Sequence, residues 1–324
     1  MMKAQIIGTG SSVPSKVLTN ADLESMVDTS DEWITSRSGI RERRIAVQES
    51  ASGMATESAR RALERGNVSP DEVDLIVVAT VTPDRYFPST ACLVQSNLGI
   101  KRGAMAFDLS AACSGFLYAL DVANRYLNSG ASKKALVIGV DIFSKIIDWS
   151  DRSTCVLFGD GAGAVILSAT EGDRGVLSTH SHSDGKLWEM LYTPSVVASC
   201  GASGENVEAP YLKMQGGELF KAAVRTMREA CEEALSHNKI SAADIALLIP
   251  HQANKRIIRA TQERLGLTDE QVFLNLDRYG NTSAGSIPLA LDEAVRSGRI
   301  KEGDLVLFVA FGGGLTWASA LVRW

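Results

Sequence analysis

The chain has 324 residues, of which 45% are hydrophobic and 22% are charged. This composition is typical of a globular protein that is long enough to form two core-bearing units. The formal net charge of −5 argues against a general nucleic-acid-binding protein, although a local basic patch remains compatible with it.

The absence of targeting signals and the cysteine pattern exclude further classes of protein. The N-terminal residues lack the basic stretch, apolar core and cleavage site of a signal peptide, and no apolar run reaches the about 20 residues of a membrane span. The cysteines are scattered, odd in number and without a C-x-x-C pair: Cys92, Cys113, Cys155, Cys200 and Cys231. We therefore expect no disulfide framework and no metal site, and we predict a cytosolic protein without membrane insertion.

Taken in chain order, the predicted elements alternate between helix and strand. Residues 20–23 (NADL) predict a helix start, with Asn20 as the N-cap and Asp22 in the first turn. The apolar runs at 75–79 and 135–140 predict strands that are buried on both faces of a sheet. Residues 201–204 (GASG) predict a surface loop. The alternation is typical of an α/β protein.

Residues 108–116 (DLSAACSGF) place Cys113 between an apolar run and a predicted helix. The N-terminus of a helix favours the thiolate over the thiol, and the thiolate is the nucleophilic form. Most free cysteines are small buried hydrophobic residues. The segment alone leaves both interpretations equally open.

The two halves of the chain share weakly similar segments in the same order. The similar pairs, each about 170 residues apart, are 71–78 with 243–249, 118–121 with 289–292, and the strands starting at 135 and 304. Each pair alone is weak, because apolar strands look alike, but the common order indicates an internal duplication. We predict two similar halves, 1–172 and 173–324. Ligands of open α/β sheets bind beyond the carboxyl ends of strands, so functional side chains are expected at those ends.

Three segments of the second half contain such chemistry: 249–254 (IPHQAN), 277–286 (DRYGNTSAGS) and 310–317 (AFGGGLTW). Each has a plain structural interpretation, as a core histidine, a turn asparagine or a tight glycine turn. The glycine run is too short for a P-loop and lacks its lysine. Together with the thiol of Cys113, these segments would form a site. His251 and Asn281 would be neutral hydrogen-bond donors, and backbone N–H groups would bind an oxyanion.

Over essentially its whole length the chain resembles the 3-oxoacyl-[acyl-carrier-protein] synthase III family. The resemblance rests on 8–10 (GTG), 29–34 (TSDEWI), 38–43 (SGIRER), 158–163 (FGDGAG), 251–254 (HQAN), 280–283 (GNTS) and 311–317 (FGGGLTW). No single motif would suffice, but their number and order are specific. The resemblance implies an α/β thiolase fold, in which duplicated α/β units form five αβαβα layers, and a homodimer.

The resemblance also implies a reaction, the priming Claisen condensation of fatty-acid biosynthesis. Cys113 would take the acetyl group of acetyl-CoA, and the malonyl form of acyl carrier protein would lose CO₂ and attack that thioester. His251 and Asn281 would donate hydrogen bonds to the enolate, each such donor being typically worth about 3 kcal/mol. The backbone N–H groups of Cys113 and Gly313 would form an oxyanion hole. No cofactor is implied besides the CoA thioester substrate.

Substrate contacts are implied by the same matching of motifs. The CoA-binding residues would be Trp33, Arg37, Arg152, Phe220 and Asn254. The carrier-protein surface would comprise Gln252, Ala253, Asn254, Lys255 and Arg256, extended by Arg259 and Arg264. The acyl pocket would be lined by Phe87 (contributed across the dimer), Phe143, Phe158 and Phe311. Phe87 would block long chains, which predicts a short primer such as acetyl.

Three positions depart from the family pattern, namely Gly217, Ala318 and Phe143, and they leave the pantetheine contacts and the pocket shape open. One alternative is a condensing enzyme of the same fold that serves secondary metabolism with another acyl-CoA or acceptor. A noncatalytic acyl-CoA-binding protein is disfavoured by the intact Cys113, His251 and Asn281. The spacing of His180 and His182 could suggest a metal, but the family has similar histidines there without one. His237 is expected at the surface.

Overall fold

The computed structural model describes residues 2–195 and 209–324. The loop predicted at 201–204 and Cys200 lie outside these ranges. The strands are β1 (Met2–Ser12), β2 (Val17–Thr19), β3 (Glu42–Arg44), β4 (Leu75–Ala79), β5 (Met105–Leu109), β6 (Lys134–Ile142), β7 (Asp160–Glu171), β8 (Gly175–Ser183), β9 (Leu191–Tyr192), β10 (Lys213–Met214), β11 (Leu247–Pro250), β12 (Leu305–Gly312) and β13 (Thr316–Arg323).

The helices alternate with these strands. They are α1 (Asn20–Glu24), α2 (Asp31–Ser38), α3 (Ala51–Gly66), α4 (Thr90–Leu98), α5 (Gly115–Asn128), α6 (Gly216–Asn238), α7 (Lys255–Leu265), α8 (Leu276–Tyr279) and α9 (Ser286–Arg296). Short 3₁₀ turns include Ala112–Ser114 before α5 and Ser283–Gly285 before α9. Within the described ranges, no helix is both long and apolar enough to cross a bilayer.

The first sheet has the strand order β1-β7-β6-β4-β5. Strand β4 runs parallel to β5 and β6, whereas β7 is antiparallel to β1 and β6. Every residue of β4 is buried: Leu75 and Val77 pack into one core cluster, and Ile76 and Val78 pack into another. This alternation is the period of a strand that is covered on both faces. The strands predicted at 75–79 and 135–140 are therefore confirmed.

The second sheet repeats the topology of the first. Its order is β8-β13-β12-β11, and an isolated parallel bridge between Leu248 and Val272 lies at the position that β5 has in the first sheet. Strand β12 is parallel to β11 and antiparallel to β13, as β6 is to β4 and β7. The common order supports the duplication. The division at residue 172 falls between β7 and β8 and stays a prediction.

The helices and sheets form five layers. Helices α5 and α9 lie between the sheets, where Leu120 and Ile287 share a core with Val137 of β6 and Phe308 of β12. Helices α3 and α4 pack on the outer face of the first sheet. Helices α6 and α7 pack on the outer face of the second, where Met227 and Ile258 belong to the core cluster. The predicted αβαβα arrangement is confirmed.

The start of α1 differs from the prediction. The N-cap is Thr19, whose hydroxyl accepts from the Asp22 N–H at 3.2 Å while the Asp22 carboxylate accepts from the Thr19 N–H at 2.8 Å. The assignment of Asn20 as the cap is therefore wrong. Asn20 is buried, and its amide donates to Asp31 at 2.7 Å and to the Ile40 carbonyl at 2.8 Å. Its side chain joins α1 to α2 instead of capping a helix.

Candidate active site

Cys113 lies in the 3₁₀ turn Ala112–Ser114, beyond the carboxyl end of β5 and immediately before α5. The Ser114 hydroxyl donates to the Thr316 carbonyl at 3.1 Å, and the Thr316 hydroxyl donates to the Ala111 carbonyl at 3.0 Å. These bonds fix the cysteine turn against the loop between β12 and β13. The first half thus supplies the thiol, and the second half supplies the surface facing it.

The last residue of β12 approaches Cys113 closely. A Cβ atom at Gly312 would stand 2.7 Å from the Cβ atom of Cys113 and 2.8 Å from its backbone nitrogen. Only glycine allows the two segments to come so close. Gly313 follows directly, and no backbone carbonyl among the described residues accepts from its N–H or from that of Cys113, which acts only on its own sulfur. Two free N–H groups in one place are suited to binding an oxyanion.

The duplication explains why the Cys113 N–H is free. In the register of the two sheets, Gly312 of β12 takes the place of Asp141 in β6. The turn Ser283–Gly285 corresponds to the cysteine turn, and there the Ala284 N–H donates to Asp141 Oδ2 at 3.2 Å. In one half, the Asp141 carboxylate therefore accepts from the N–H of the turn. In the other half, Gly312 has no side chain to accept a hydrogen bond, so the equivalent N–H of Cys113 stays available.

The thiol of Cys113 is 5% exposed. The pKa of the thiol is raised to about 12, chiefly by burial and to a smaller extent by Asp141, against the opposing effects of the Ser283 hydroxyl and the residue's own N–H. The sequence left the choice between a thiolate and a buried thiol open, and burial favours the protonated thiol in this structure. A helix end contributes up to about 2 kcal/mol, or about 1.5 pKa units, whereas full burial shifts a pKa by up to about 3–5 units. The nucleophile is held as a thiol.

His251 follows β11 and is 2% exposed. Burial lowers its pKa to about 3, so the imidazole is neutral at physiological pH. Its backbone N–H donates to the Val309 carbonyl at 2.8 Å, and its buried Nδ1 has no partner among the described residues. The next residue, Gln252, donates its N–H to the Ser286 hydroxyl at 2.8 Å. This bond attaches the histidine segment to the start of α9.

Asn281 is held by its backbone and by its side-chain oxygen. Its N–H donates to the Leu157 carbonyl at 2.9 Å, and its carbonyl accepts from Gly159 at 3.0 Å. Its Oδ1 accepts from the Ser283 N–H at 2.9 Å. Because that oxygen is used, the amide nitrogen Nδ2 is the group left to donate. The turn Ser283–Gly285 also contacts the cysteine turn, so the three predicted catalytic residues lie on segments that meet at 283–286.

Buried Arg43 stabilises the segment that pairs with Asn281. Its guanidinium donates to the carbonyls of Leu18 at 3.2 Å and Val156 at 2.7 Å, and to Asn20 Oδ1 at 2.8 Å. Burial lowers its pKa to about 10. The side chain ties β2 and α1 to the strand-like segment that pairs with Asn281.

The predicted CoA-binding residues lie close together at the surface. The guanidinium carbons of Arg152 and Arg37 lie 5.3 Å and 5.9 Å from the Trp33 ring centroid. Asn254 caps α7 and donates to the Arg37 carbonyl at 3.1 Å. The remaining CoA-binding candidate, Phe220, is half-buried on α6. The arrangement places two cations near one aromatic ring.

The predicted carrier-protein residues divide into two groups. Lys255 and Arg256 are exposed on α7, and the Arg256 guanidinium lies 5.1 Å from the Phe220 ring. Gln252 departs from the prediction because it is 1% exposed. Its side-chain amide donates to the carbonyls of Pro250 and Phe273 and accepts from the Asn275 N–H. These bonds stabilise the turn that follows β11. Ala253, next to it, is partly exposed.

The acyl-pocket candidates also divide. Phe143 and Phe158 are buried and stacked, with ring centroids 4.9 Å apart, and Phe311 belongs to the same core cluster. Phe158 forms an isolated bridge with Asn281, which connects this cluster to the site. Phe87 is 86% exposed and stands apart from the other three within one chain.

The remaining histidines form a separate polar cluster. His182 lies 2.9 Å from Glu233, and the His180 ring centroid lies 4.9 Å from that of His237. His237 is exposed, as expected. Among the described residues, no group of three or more His, Cys, Asp or Glu side chains is arranged to hold a metal ion.

Sequence reasoning missed two residues of the site, Asp141 and the side chain of Ser283. Asp141 ends a strand that was recognised only by its apolar residues. Ser283 was part of a quoted motif but had no role. A carboxylate at the end of a fully buried strand was the available signal, because charged side chains are rarely buried without partners.

A buried thiol, a neutral histidine, an asparagine donor and free backbone N–H groups between duplicated α/β units define a condensing enzyme of the thiolase fold. Family models described as "3-Oxoacyl-[acyl-carrier-protein (ACP)] synthase III" and its "C terminal" part match residues 107–185 and 235–324. The chain belongs to the beta-ketoacyl-[acyl-carrier-protein] synthase III family and is an acyltransferase.

Individual relatives agree with this assignment. The beta-ketoacyl-[acyl-carrier-protein] synthase III of Alkalilimnicola ehrlichii is 54% identical over 325 residues, covering 100% of both chains. The solved structure of the Aquifex aeolicus protein has a TM-score of 0.93 at 52% identity and covers 99% of this chain and 100% of that one. The Thermus thermophilus structure also has a TM-score of 0.93, at 48% identity, covering 99% of each.

Proposed function

We propose that this enzyme condenses acetyl-CoA with the malonyl form of acyl carrier protein, releasing CO₂ and CoA and giving acetoacetyl-carrier protein. The observation that carries the proposal is the buried Cys113 thiol with its own N–H and that of Gly313 unpaired beside it. A thioester carbonyl that is attacked by the sulfur becomes an oxyanion, and it needs hydrogen-bond donors at that place.

In the first half-reaction, Cys113 attacks the thioester carbonyl of acetyl-CoA. The oxyanion is stabilised by the N–H groups of Cys113 and Gly313, and the CoA thiolate leaves. Sulfur is both a strong nucleophile and a good leaving group, so the acetyl-enzyme forms and breaks readily. The reaction needs no cofactor besides the thioester itself.

In the second half-reaction, loss of CO₂ from the malonyl group places negative charge on its thioester oxygen. His251 and Asn281 Nδ2 donate hydrogen bonds to this enolate. His251 can act as a neutral donor because burial lowers its pKa to about 3. A neutral pair does not hold back the departing carboxylate as a cation would. The enolate carbon then attacks the acetyl group on Cys113.

The binding surfaces have the chemistry that these substrates need. Trp33, with the guanidinium groups of Arg37 and Arg152 near its ring, suits the adenine ring and phosphates of CoA. The exposed Lys255 and Arg256 on α7 suit an acidic carrier protein. The stacked Phe143 and Phe158, with Phe311, fill the space that a long acyl chain would need and favour an acetyl primer.

We also propose a homodimer in which the two halves, 1–172 and 173–324, form one unit per chain. Strand β5 lies at the edge of the first sheet, and an uncovered edge strand readily pairs with another chain. Nearby, Phe87 is 86% and Tyr86 is 72% exposed, and Met105 at the start of β5 is 39% exposed. Exposed apolar residues of this size are typical of an interface.

Intact-protein mass spectrometry with acetyl-CoA tests the proposal. We expect one acetyl adduct per chain, located on Cys113 and lost in Cys113→Ser. His251→Ala should acylate but fail to decarboxylate malonyl-carrier protein. Absence of the adduct, or equal loss of both half-reactions in His251→Ala, would contradict these roles. Condensation with a free small thioester but not with carrier protein would favour the secondary-metabolism alternative.

A further inference from the structure

The turn that follows Asn281 contains a strained residue. Ser283 has a φ of 50°, a left-handed conformation that residues other than glycine rarely adopt and that persists only where the surrounding structure holds it. The Ser283 N–H donates to Asn281 Oδ1 at 2.9 Å, and the next N–H, that of Ala284, donates to Asp141 Oδ2 at 3.2 Å. These two N–H groups flank the φ and ψ angles of Ser283, so the two bonds together fix its conformation.

The Asp141 carboxylate is itself fixed from the other side. It is fully buried near the end of β6, and its Oδ1 accepts from the Thr80 hydroxyl at 3.1 Å, the Val81 N–H at 2.8 Å and the Thr82 hydroxyl at 3.0 Å. The loop after β4 thus holds one oxygen, and the other oxygen holds Ala284. An asparagine has only one acceptor oxygen, so with that oxygen on Val81 it would turn its NH₂ group toward the Ala284 N–H.

The Ser283 N–H determines which end of the Asn281 amide is free. Because Oδ1 accepts this N–H, the amide presents Nδ2, a donor that stabilises an enolate oxygen. If Ser283 left its left-handed conformation, its N–H would turn away from Oδ1. The amide would then be free to rotate and to present its oxygen, which repels an enolate.

We propose that Asp141 is a positioning residue for the decarboxylation of the malonyl group. By binding the Ala284 N–H it holds Ser283 in its strained conformation, and through Ser283 it keeps Asn281 Nδ2 directed at the enolate. Acylation does not depend on this contact, because the cysteine turn is held by bonds to Thr316 instead. The proposal rests on the role of Asn281 as an enolate donor proposed above.

Separate assays of the two half-reactions in the full chain test this role. Intact-protein mass spectrometry with acetyl-CoA measures acylation, and labelled CO₂ released from malonyl-carrier protein by the acetylated enzyme measures decarboxylation. Asp141→Asn should acylate at close to the wild-type rate and decarboxylate about 100-fold more slowly, the lower range for loss of one oxyanion donor. Asp292→Asn is the matched control, because Asp292 is an equally buried carboxylate on α9 that binds Thr9, Ser11 and Arg65. It should leave both half-reactions close to the wild type.

Two further variants separate positioning from a general structural effect. If Asp141 acts through Asn281, Asp141→Asn should cause little additional loss of decarboxylation in an Asn281→Ala background. Replacing Ala284 by lactic acid through nonsense suppression exchanges its N–H for an ester oxygen and keeps the carboxylate. This ester variant should show the same selective loss as Asp141→Asn, and it decides the question if Asp141→Asn does not fold.

Three outcomes would overturn the positioning role: wild-type decarboxylation in Asp141→Asn or in the ester variant, equal loss of both half-reactions, or an undiminished effect of Asp141→Asn in the Asn281→Ala background. Unimpaired decarboxylation in Asn281→Ala would refute the proposed role of Asn281 and the positioning role with it. An impaired Asn281→Ala beside an unimpaired Asp141→Asn refutes only the positioning role.

Discussion

The buried neutral His251 should make the folded enzyme sensitive to acid. Its pKa falls from 6.5 to about 3 on folding, so between these values the unfolded chain binds a proton that the folded chain does not. Stability due to this group is therefore present above pH 6.5 and is lost as the pH falls. At about pH 4.5 the solution is about two pH units below the pKa of His251 in the unfolded chain. At about 1.4 kcal/mol per unit, the free energy of unfolding has then fallen by about 3 kcal/mol because of this group.

Urea denaturation of the wild type and of His251→Gln at about pH 7.5 and about pH 4.5 isolates this effect. All other titrating groups are shared, so they cancel in the difference between the two proteins. The wild type should lose about 3 kcal/mol more free energy of unfolding than the variant on acidification. Both must be compared at one protein concentration, because dimerisation would also change the apparent stability. Equal losses in the two proteins would refute the argument that His251 is neutral because it is buried.

Two further predictions concern packing and assembly. Gly312→Ala places a Cβ atom 2.7 Å from that of Cys113, so it should abolish the acetyl adduct while lowering the free energy of unfolding by about 1–3 kcal/mol. Gly185→Ala is the control, because no atom lies within 4 Å of the added carbon, and it should leave the adduct intact. Adduct formation in Gly312→Ala would contradict the reasoning. Phe87→Asp should convert a dimer into monomers in sedimentation experiments. An unchanged sedimentation coefficient would show that the face around Phe87 is not the interface.

Apolar periodicity predicted the framework well because buried strands depend on hydrophobicity alone. Strand β4 has the predicted bounds, and the duplicated order suggested by weak sequence similarity is repeated in both sheets. Motif order pointed to the segments of Cys113, His251 and Asn281, which meet in the structure. These features depend on short stretches of chain, which sequence patterns describe directly.

Features set by burial could not be predicted in this way. The helix that favours a thiolate at Cys113 is visible in the sequence, whereas the desolvation that opposes the thiolate depends on the whole fold. Asn20 looked like a cap, but its side chain is used by Asp31 and Arg43, residues whose proximity no local pattern reveals. Gln252 stands beside exposed residues in sequence and is nevertheless enclosed.

The pairing of Asp141 in one sheet with Gly312 in the other has a consequence for stoichiometry. A duplicated framework could in principle hold two reaction centres per chain. The carboxylate repels an oxyanion from the turn at Ala284, whereas the glycine admits one at Cys113. Ala284, the counterpart of Cys113, also lacks a thiol, and its N–H already donates to Asp141. We therefore expect each chain to carry a single acyl group, on the half that contains Cys113.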